Sequence, residues 1–402
     1  MKVTNIIQND IAAAYPEIHS VRLNTLFTFV LSGLHDQRIS VTYLGRGLKT
    51  LSKTSKKNDI KRADRLIGNS LLHFERAYFY EYMSSQLIGN NKHPIILVDW
   101  SPINGRDIVQ LLRASIPMHG RSLTLYEKVF DESELNTQTA HQNFINELDS
   151  ILPDGCEPII VSDAIYRSPW FKLIEEKDWY WIGRVRGQVS LSQDKINWQT
   201  SYQWFERAQL GKAECLGDIY YGKAAKFPCK AVIYKRSAKG RKANKMRGGI
   251  SQRTTDRIHE KDAKEPWLLV FKLPKKFERN AQTAVNLYRQ RMQIEENFRD
   301  TKNNKLGIGL ECANSRRVER FDNLLLIAAL ILYLLWVIGQ TAIMKKLHYS
   351  LQANTIKTRM VLSTITIGRE IISDSRYQLH IEEYSYVLSH LARLTVNIEE
   401  LG

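Results

Sequence analysis

Apolar positions in the first ninety residues recur at the spacing of amphipathic helices. In residues 21–34 and 70–87, apolar side chains return every three or four positions, which places them on one helical face. The pattern therefore predicts that residues 1–90 form a mostly helical N-terminal domain.

A cationic stretch over residues 49–65 lies between these two helices. Lys61, Arg62 and Arg65 can share one face of a helix and meet phosphates together. A solvated helix face would show the same run of charges, so the pattern alone leaves both interpretations open.

The pattern changes after residue 93 to short β-branched segments separated by turn residues and amphipathic helices. The predicted elements, in order, are strands at 94–100, 107–118 and 122–130, a helix at 134–152, a strand at 157–164, a helix at 168–179 and a strand at 179–187. Three meander strands followed by alternating helices and strands indicate an α/β fold with a mixed sheet covered by helices.

Over residues 188–264 the periodicity of apolar and polar positions is weaker, and it predicts only short strands and a charged loop. Residues 235–257 are rich in Lys, Arg and Gly and nearly lack apolar anchors, which predicts an exposed, flexible basic loop. A strand at 267–273 follows, and then one helix over about residues 280–303.

Residues 324–338 form an unbroken apolar run of 15 residues. A membrane span needs about 20 such residues, and shorter runs are more often buried core helices. Charged residues stand directly before the run, and Lys345 and Lys346 close it. We therefore predict a core helix over residues 317–344 rather than a membrane span.

Composition and charge narrow the function. The 402 residues carry 58 Lys and Arg against 42 Asp and Glu, a net charge of +16. This excess favours a polyanionic partner, with nucleic acid as the first candidate, although a basic soluble enzyme would share it. The four Cys include no CxxC pair, and no GxxxxGK[ST] loop occurs, so we expect neither a zinc ribbon nor ATP use. The N-terminal residues lack a signal pattern, which predicts a cytoplasmic protein.

Two aspartates stand at the ends of apolar strands. Asp99 follows Ile95–Val98, and Asp163 closes the strand at 157–164. Carboxylates held at the ends of neighbouring strands can share hard divalent cations, and two such ions can support phosphoryl transfer. Either aspartate alone is more typical of a helix cap or a turn, and the repetition of the same context favours a shared site without deciding it.

The predicted helix at 280–303 carries four functional side chains at helical spacing. Tyr288, Arg291, Glu295 and Lys302 lie at offsets of 0, 3, 7 and 14, which places them on one stripe of a continuous helix. Glu295 could complete a metal site, and the two cations could bind phosphates. A solvated face with an Arg291–Glu295 ion pair is the alternative.

These four residues resemble the Tyr-Arg-Glu-Lys signature of bacterial insertion-sequence transposases of family four. Further segments resemble blocks of its insertion-sequence-ten group, in the same order along the chain. They are LVDWS (97–101), HGRSLTLYEK (119–128), VSDAIYRSPW (161–170), WYWIGRVRG (179–187), RMQIEENFRD (291–300) and RRVERFDNLLLIAAL (316–330). The resemblance thus extends over nearly the whole chain.

The resemblance implies an RNase H-like DDE catalytic domain over residues 91–345, with a β-rich insertion at about 188–264. Residues 1–90 would recognise the DNA end through Lys61, Arg62 and Arg65. Residues 346–402 would form a helical C-terminal segment that makes subunit contacts in a paired-end complex.

The resemblance also assigns individual residues. Asp99, Asp163 and Glu295 would be the catalytic triad and would bind two Mg²⁺ ions, with Mn²⁺ as a substitute. Phosphate contacts near the cleaved end would come from Tyr288, Arg291 and Lys302. Arg184 would grip DNA beside the active site, and Trp267 would stack on a base flipped out during hairpin formation, unless it is simply a core residue of its strand.

The sequence therefore predicts a cut-and-paste DNA transposase that acts on double-stranded inverted-repeat ends and target DNA. One alternative is a metal-dependent nuclease with the same core but no strand transfer. Another is a protein that binds DNA ends without cutting them. The intact triad and signature favour an enzyme over the second alternative.

Overall fold

The computed structural model describes residues 2–48, 51–103, 109–237, 265–315, 317–353, 355–356 and 358–402. The chain forms two compact units. Unit 1 consists of Met1–Cys156 and Met292–Val396, and unit 2 consists of Glu157–Arg291 and Asn397–Gly402.

The described helices and strands are numbered here in chain order. The helices are α1 (Lys2–Ala14), α2 (Ser20–Asp36), α3 (Val41–Arg46), α4 (Lys56–Ile67), α5 (Ser70–Ile88), α6 (Gln138–Ile151), α7 (Ser168–Glu175), α8 (Ser201–Phe205), α9 (Ala281–Arg289), α10 (Met292–Lys302), α11 (Val318–Met344), α12 (His348–Leu351), α13 (Thr364–Ser373) and α14 (Ile381–Ser389). The strands are β1 (Ile95–Pro102), β2 (Val109–Pro117), β3 (Ser122–Asp131), β4 (Ile159–Ser162), β5 (Tyr180–Val185), β6 (Ser190–Ser192), β7 (Gln199–Thr200), β8 (Ala213–Tyr221), β9 (Phe227–Tyr234) and β10 (Trp267–Lys272).

The N-terminal part of unit 1 is helical, as its apolar periodicity predicts. Helices α1 to α5 occupy it, and their starts follow local capping chemistry. The side chains of Ser40, Ser55 and Asn69 each accept a hydrogen bond from the backbone N–H three residues later. These bonds satisfy amides that the first turn of a helix leaves without a partner.

The predicted strand meander of unit 1 is present. Strands β1, β2 and β3 pair antiparallel in the order β3-β2-β1, and α6 follows them. The register places Asp99 opposite Arg113 and Arg113 opposite Glu127. A line of charged residues therefore crosses the three strands of this meander, although β2 is buried along its whole length.

The apolar run becomes α11, the central helix of unit 1. Its length and composition would allow it to cross a membrane, but its most apolar window is entirely buried inside the protein. Neighbours from α2, α5, β3, α13 and α14 cover it. The prediction of a core helix is confirmed.

Helices α11 and α13 cross with their backbones in contact. A Cβ atom added at Gly339 would lie 1.9 Å from the carbonyl oxygen of Thr364, and one at Gly368 would lie 2.1 Å from that of Leu335. Only glycine leaves enough space for this approach, because any side chain would overlap the facing backbone.

Unit 2 contains a seven-stranded mixed sheet in the order β4-β5-β10-β9-β8-β6-β7. Strands β4 and β5 are parallel and are joined through α7, whereas the other pairs are antiparallel. Strands β6 to β9 account for the short strands predicted over 188–264. The predicted basic loop lies outside the described residues from position 238 onward. The chain thus has the mixed α/β fold that the sequence predicts.

The prediction of one continuous helix over residues 280–303 is wrong. The chain forms α9 and α10 instead, separated by a turn at Gln290 and Arg291. The N–H groups of these two residues donate to the carbonyls of Leu287 and Tyr288, three residues back, at 3.1 Å each. This tighter pattern ends the α-helical ladder without a Pro or Gly to mark it in the sequence.

The turn also overturns the single stripe of four functional residues. Tyr288 belongs to α9 and Arg291 to the turn, both in unit 2, whereas Glu295 and Lys302 belong to α10 in unit 1. The uniform rotation of about 100° per residue applies only within each helix. Glu295 and Lys302, seven positions apart on α10, do share a face.

Candidate functional site

Asp99 ends the buried part of β1. The four preceding residues are fully buried apolar side chains, and Asp99 itself is partly exposed. Its Oδ1 accepts a 3.0 Å hydrogen bond from the backbone N–H of Trp100. The apolar strand therefore holds the carboxylate at a defined position at the boundary between core and solvent.

Glu295 lies in the first turn of α10, and its side chain is exposed. The opposite side of this helix is buried through Ile294, Asn297, Phe298 and Thr301. The position of Glu295 therefore depends on how α10 is held against the rest of unit 1.

A buried polar network fixes α10 to the strands β2 and β3. Arg113, only 1% exposed, donates from Nε and Nη2 to Oε2 of Glu127 at 2.8 and 2.5 Å. Its Nη1 donates to Oδ1 of Asn297 and, at 3.0 Å, to Oγ1 of Thr301. Asn297 in turn donates to the carbonyl of Ser122 at 2.6 Å. One guanidinium thus ties the helix of Glu295 to two strands.

Lys302 closes α10 and contacts the end of β1. Its Nζ donates to Ser101 Oγ at 2.5 Å and to the carbonyl of Pro102 at 3.0 Å. Burial lowers the pKa of Lys302 to about 8, with Arg113 adding to the decrease and the carboxylates of Glu311 and Asp99 opposing it. The ammonium is therefore anchored two to three residues from Asp99 along the strand.

Asp163 follows β4 in unit 2. It is partly exposed, and its Oδ1 accepts a 2.8 Å hydrogen bond from the N–H of Ile165. Of the predicted triad, Asp99 and Glu295 thus belong to unit 1 and Asp163 to unit 2. Within the ranges that the structure describes, no group of three or more His, Cys, Asp or Glu side chains is gathered to hold a metal ion.

Unit 2 gathers the predicted aromatic DNA contacts. The ring of Trp267 meets that of Tyr288 edge to face, with centroids 5.1 Å apart, and lies 6.0 Å from the ring of Tyr234. The guanidinium of Arg236 lies 5.7 Å from the Trp267 centroid. Trp267 is partly exposed, whereas Tyr288 is only 5% exposed. The cluster combines an accessible indole with a cation, a combination used to bind nucleic-acid bases.

Arg184 lies beside this aromatic cluster on β5. Burial lowers its pKa, with Arg186 and Arg291 adding to the decrease and Tyr288 and Glu265 opposing it. Its Nη2 donates to the carbonyl of Pro266 at 3.5 Å and lies 3.8 Å from Oε2 of Glu265. Its buried Nε has no hydrogen-bond partner among the described residues. Unit 2 thus carries Arg184, Trp267, Tyr288 and Arg291, and the rings of Trp267 and Tyr288 are in contact.

Two neighbours of Arg184 were not predicted. Arg186 lies two residues further along, and its Nε donates a 3.0 Å hydrogen bond to Oε2 of Glu265, while its Nη2 lies 2.9 Å from the same oxygen. Antiparallel pairing of β10 with β5, in which Leu268 lies opposite Val185, explains why Glu265 lies beside Arg186. The sequence signal was the alternation Arg184-x-Arg186, which places both arginines on one face of a strand.

The basic triplet of α4 lies in unit 1. Lys61 and Arg65 are exposed, and the guanidinium of Arg62 lies 5.9 Å from the ring centroid of Phe29. Arg62 and Arg65 also line a cavity of about 360 Å³ beside the start of α2. The cations are thus presented on an ordered helix next to a helix N-terminus, an arrangement suited to phosphates.

Comparison with known families decides the class of protein. Residues 90–334 match the model of the transposase DDE domain. The chain belongs to this family. The matched range contains every predicted site residue except the triplet on α4. A search of curated proteins gives no match.

Family membership makes the chain a nucleic-acid-processing enzyme with DNA as its substrate. Transposases of the DDE family generally use divalent metal ions. The three acids supply hard carboxylate oxygens, the donors that Mg²⁺ and Mn²⁺ prefer. Asp99, Asp163 and Glu295 are all at least partly exposed. The chemistry of each of the three acids, taken by itself, therefore suits such ions.

Proposed function

We propose that the chain is a cut-and-paste DNA transposase with an RNase H-like core, related to the insertion-sequence-ten group of family four. The observation that carries this proposal is the family match over residues 90–334, which contains all three predicted acids and the four-residue signature. The Arg184–Trp267–Tyr288 cluster supports it with the chemistry needed to hold a DNA backbone and an unstacked base.

Asp99, Asp163 and Glu295 are proposed as the triad that holds two Mg²⁺ ions, with Mn²⁺ as a substitute. Bound there, the ions would supply Lewis-acid stabilisation of the developing negative charge during phosphoryl transfer. The protein contributes rigidity to two of the acids, because Asp99 directly follows the buried part of β1 and the Arg113 network holds the helix of Glu295.

The surrounding cations are proposed to hold the DNA end. Lys302 and Arg291 would contact backbone phosphates near the cleaved bond, and the hydroxyl of Tyr288 would donate to another phosphate oxygen. Arg184 would grip the backbone nearby. Trp267 would stack on a base extruded from the duplex, and its partly exposed indole supports this role.

The proposed reaction begins with hydrolysis of one strand at the transposon end. The freed 3′-hydroxyl then attacks the opposite strand, which displaces that strand's 3′ oxygen and closes the end into a hairpin. Hydrolysis reopens the hairpin, and the 3′ ends join target DNA. Residues 1–90, through Lys61, Arg62 and Arg65, would bind the inverted repeat, and residues 346–402 would pair two subunits on two ends.

A cleavage assay with a terminally labelled duplex tests this function. The duplex carries the terminal sequence that flanks the coding region of this chain, and products are separated on a denaturing gel with Mg²⁺ present or absent. A hairpin-sized product with wild-type protein, missing with Glu295→Ala, is the expected result. Nicks without a hairpin would favour a nuclease, and a bound but uncut duplex would leave only a DNA-end-binding protein.

A further inference from the structure

The ion pair between Glu265 and Arg186 places a carboxylate where the proposed DNA backbone would bind. Glu265 Oε2 accepts a 3.0 Å hydrogen bond from Arg186 Nε, and it lies 2.9 Å from Arg186 Nη2 and 3.8 Å from Arg184 Nη2. A carboxylate and a phosphodiester present similar oxygen acceptors to a guanidinium fork. Glu265 therefore has the geometry of an internal substitute for a phosphate group.

Two arginines share the carboxylate of Glu265. Arg184 Nη2 and Arg186 Nη2 lie 3.8 and 2.9 Å from its Oε2, and Arg236 lies over the neighbouring Trp267. Among the described ion pairs, Glu265 is the carboxylate that both Arg184 and Arg186 contact. Its pairing with Arg184 is loose, and the buried Nε of Arg184 has no hydrogen-bond partner among the described residues. The pair therefore retains capacity for a second anion.

Burial of these side chains strengthens the tendency of Arg184 and Arg186 to bind a second anion. The side chains of Arg184 and Glu265 are only 13% and 15% exposed, and Arg186 is 30% exposed. A buried guanidinium without full hydrogen bonding is unfavourable, so an incoming phosphate oxygen would relieve it. Exchange of one acceptor for another also costs less than desolvating arginines that were fully hydrated.

We propose that Arg184 and Arg186 form a phosphodiester-binding site that Glu265 occupies until DNA displaces it. This inference rests on the proposed function, because it takes DNA as the ligand and adds Arg186 and Glu265 to its interface. Glu265 then lowers the affinity for any DNA backbone and leaves high affinity to ends that make additional contacts, such as stacking on Trp267.

The test compares variants in binding to fluorescein-labelled duplexes, one with the flanking terminal sequence and one of random sequence, without divalent metal. Glu265→Gln removes the charge and nearly preserves the shape. We expect it to lower the Kd for both duplexes by roughly three- to tenfold, the range of one partly buried ion pair. Glu265→Asp, which keeps the charge, should stay within about twofold of wild type.

Glu214→Gln is the matched control for net charge. Glu214 also pairs with an arginine of unit 2, Arg207, at 2.8 Å. An equal decrease in Kd for Glu214→Gln would show a general charge effect and would overturn the inference. In the Arg186→Gln background, Glu265→Gln should lose most of its gain, and an unchanged gain there would also overturn it.

The outcomes separate this inference from the proposed function. If wild-type protein neither binds nor cuts the terminal duplex, the proposed function fails. If wild type binds and cuts but Glu265→Gln binds no more tightly, only the phosphate-mimic role of Glu265 fails. Thermal unfolding of each variant shows whether it is folded, and a misfolded Glu265→Gln leaves the Glu265→Asp and Arg186→Gln affinities to decide.

Discussion

Lys302 Nζ donates a 2.5 Å hydrogen bond to Ser101 Oγ, which joins the end of α10 to the end of β1. The contact links the helix that carries Glu295 to the strand that carries Asp99. It also holds an ammonium whose pKa burial lowers to about 8. The proposed phosphate contact of Lys302 therefore predicts a DNA affinity that depends on pH around 8.

DNA affinity should fall as the pH rises above about 8. Below that value Lys302 is already protonated in the free protein, so binding takes up no proton there. Above it, the phosphate contact of Lys302 requires uptake of one proton, which weakens binding by up to about tenfold per pH unit. Lys302→Arg stays charged at every pH of interest, so its Kd should vary less from pH 7 to 9.5. Parallel pH profiles for the two proteins would contradict this.

Replacement of Asp99, Asp163 or Glu295 by Ala should abolish cleavage and leave duplex binding intact. Loss of one metal ligand removes several kcal/mol of transition-state stabilisation, so the rate should fall by roughly a thousandfold or more. Asp218→Ala provides the control, because Asp218 is 87% exposed and pairs with Lys230 on a neighbouring strand. Any variant of the three that retains near wild-type cleavage removes that residue from the triad.

Arg113→Met should destabilise unit 1 strongly. The change leaves the buried carboxylate of Glu127 without Arg113 as its partner. It also removes the hydrogen bonds that Arg113 donates to Asn297 and Thr301. Breaking a buried pair in this way costs about 3–5 kcal/mol in the free energy of unfolding. The double variant Arg113→Met/Glu127→Leu removes both charges and should recover part of that loss. Urea unfolding measures both; a loss below about 1 kcal/mol for Arg113→Met would show that the network contributes little.

Trp267→Ala should impair hairpin formation more than the first nick. Stacking of a base on an aromatic ring is worth about 1–3 kcal/mol, and only the hairpin step needs an extruded base. Trp198→Ala is a suitable control, because Trp198 is also partly exposed in unit 2. Comparable losses in nicking and hairpin formation for Trp267→Ala would indicate a structural role in packing against Tyr288.

The sequence predicted elements whose signals are local. The buried run of β1 and the strand β4 were recognisable because their apolar residues stop just before Asp99 and Asp163, and α11 was recognisable from its unbroken apolar run. The break at Gln290 and Arg291 was missed because neither residue disfavours a helix, so nothing in the local sequence marks the turn. Because the helical pattern is continuous across these residues, we predicted one stripe of four functional side chains, whereas the chain forms the two helices α9 and α10 there.

Contacts between distant residues could not be predicted in the same way. Arg186 and Glu265 are 79 positions apart, and Arg113 and Asn297 are 184 apart. Each pair depends on strand register and helix placement, which hydrophobic periodicity does not specify. Charged residues such as Arg113 and Glu127 also suggest a solvated strand face, whereas the structure buries both against α10.

The burial of α11 has a consequence for biosynthesis. This helix fills the centre of unit 1, yet it is translated after the N-terminal helices, the meander and the whole first segment of unit 2. The apolar faces of α2 and α5 therefore have no completed core to pack against until residue 344 has left the ribosome. We expect a nascent chain that ends before α11 to bind chaperones or aggregate. Unit 1 would then complete its core late in translation, through contacts between two segments that are far apart in the chain.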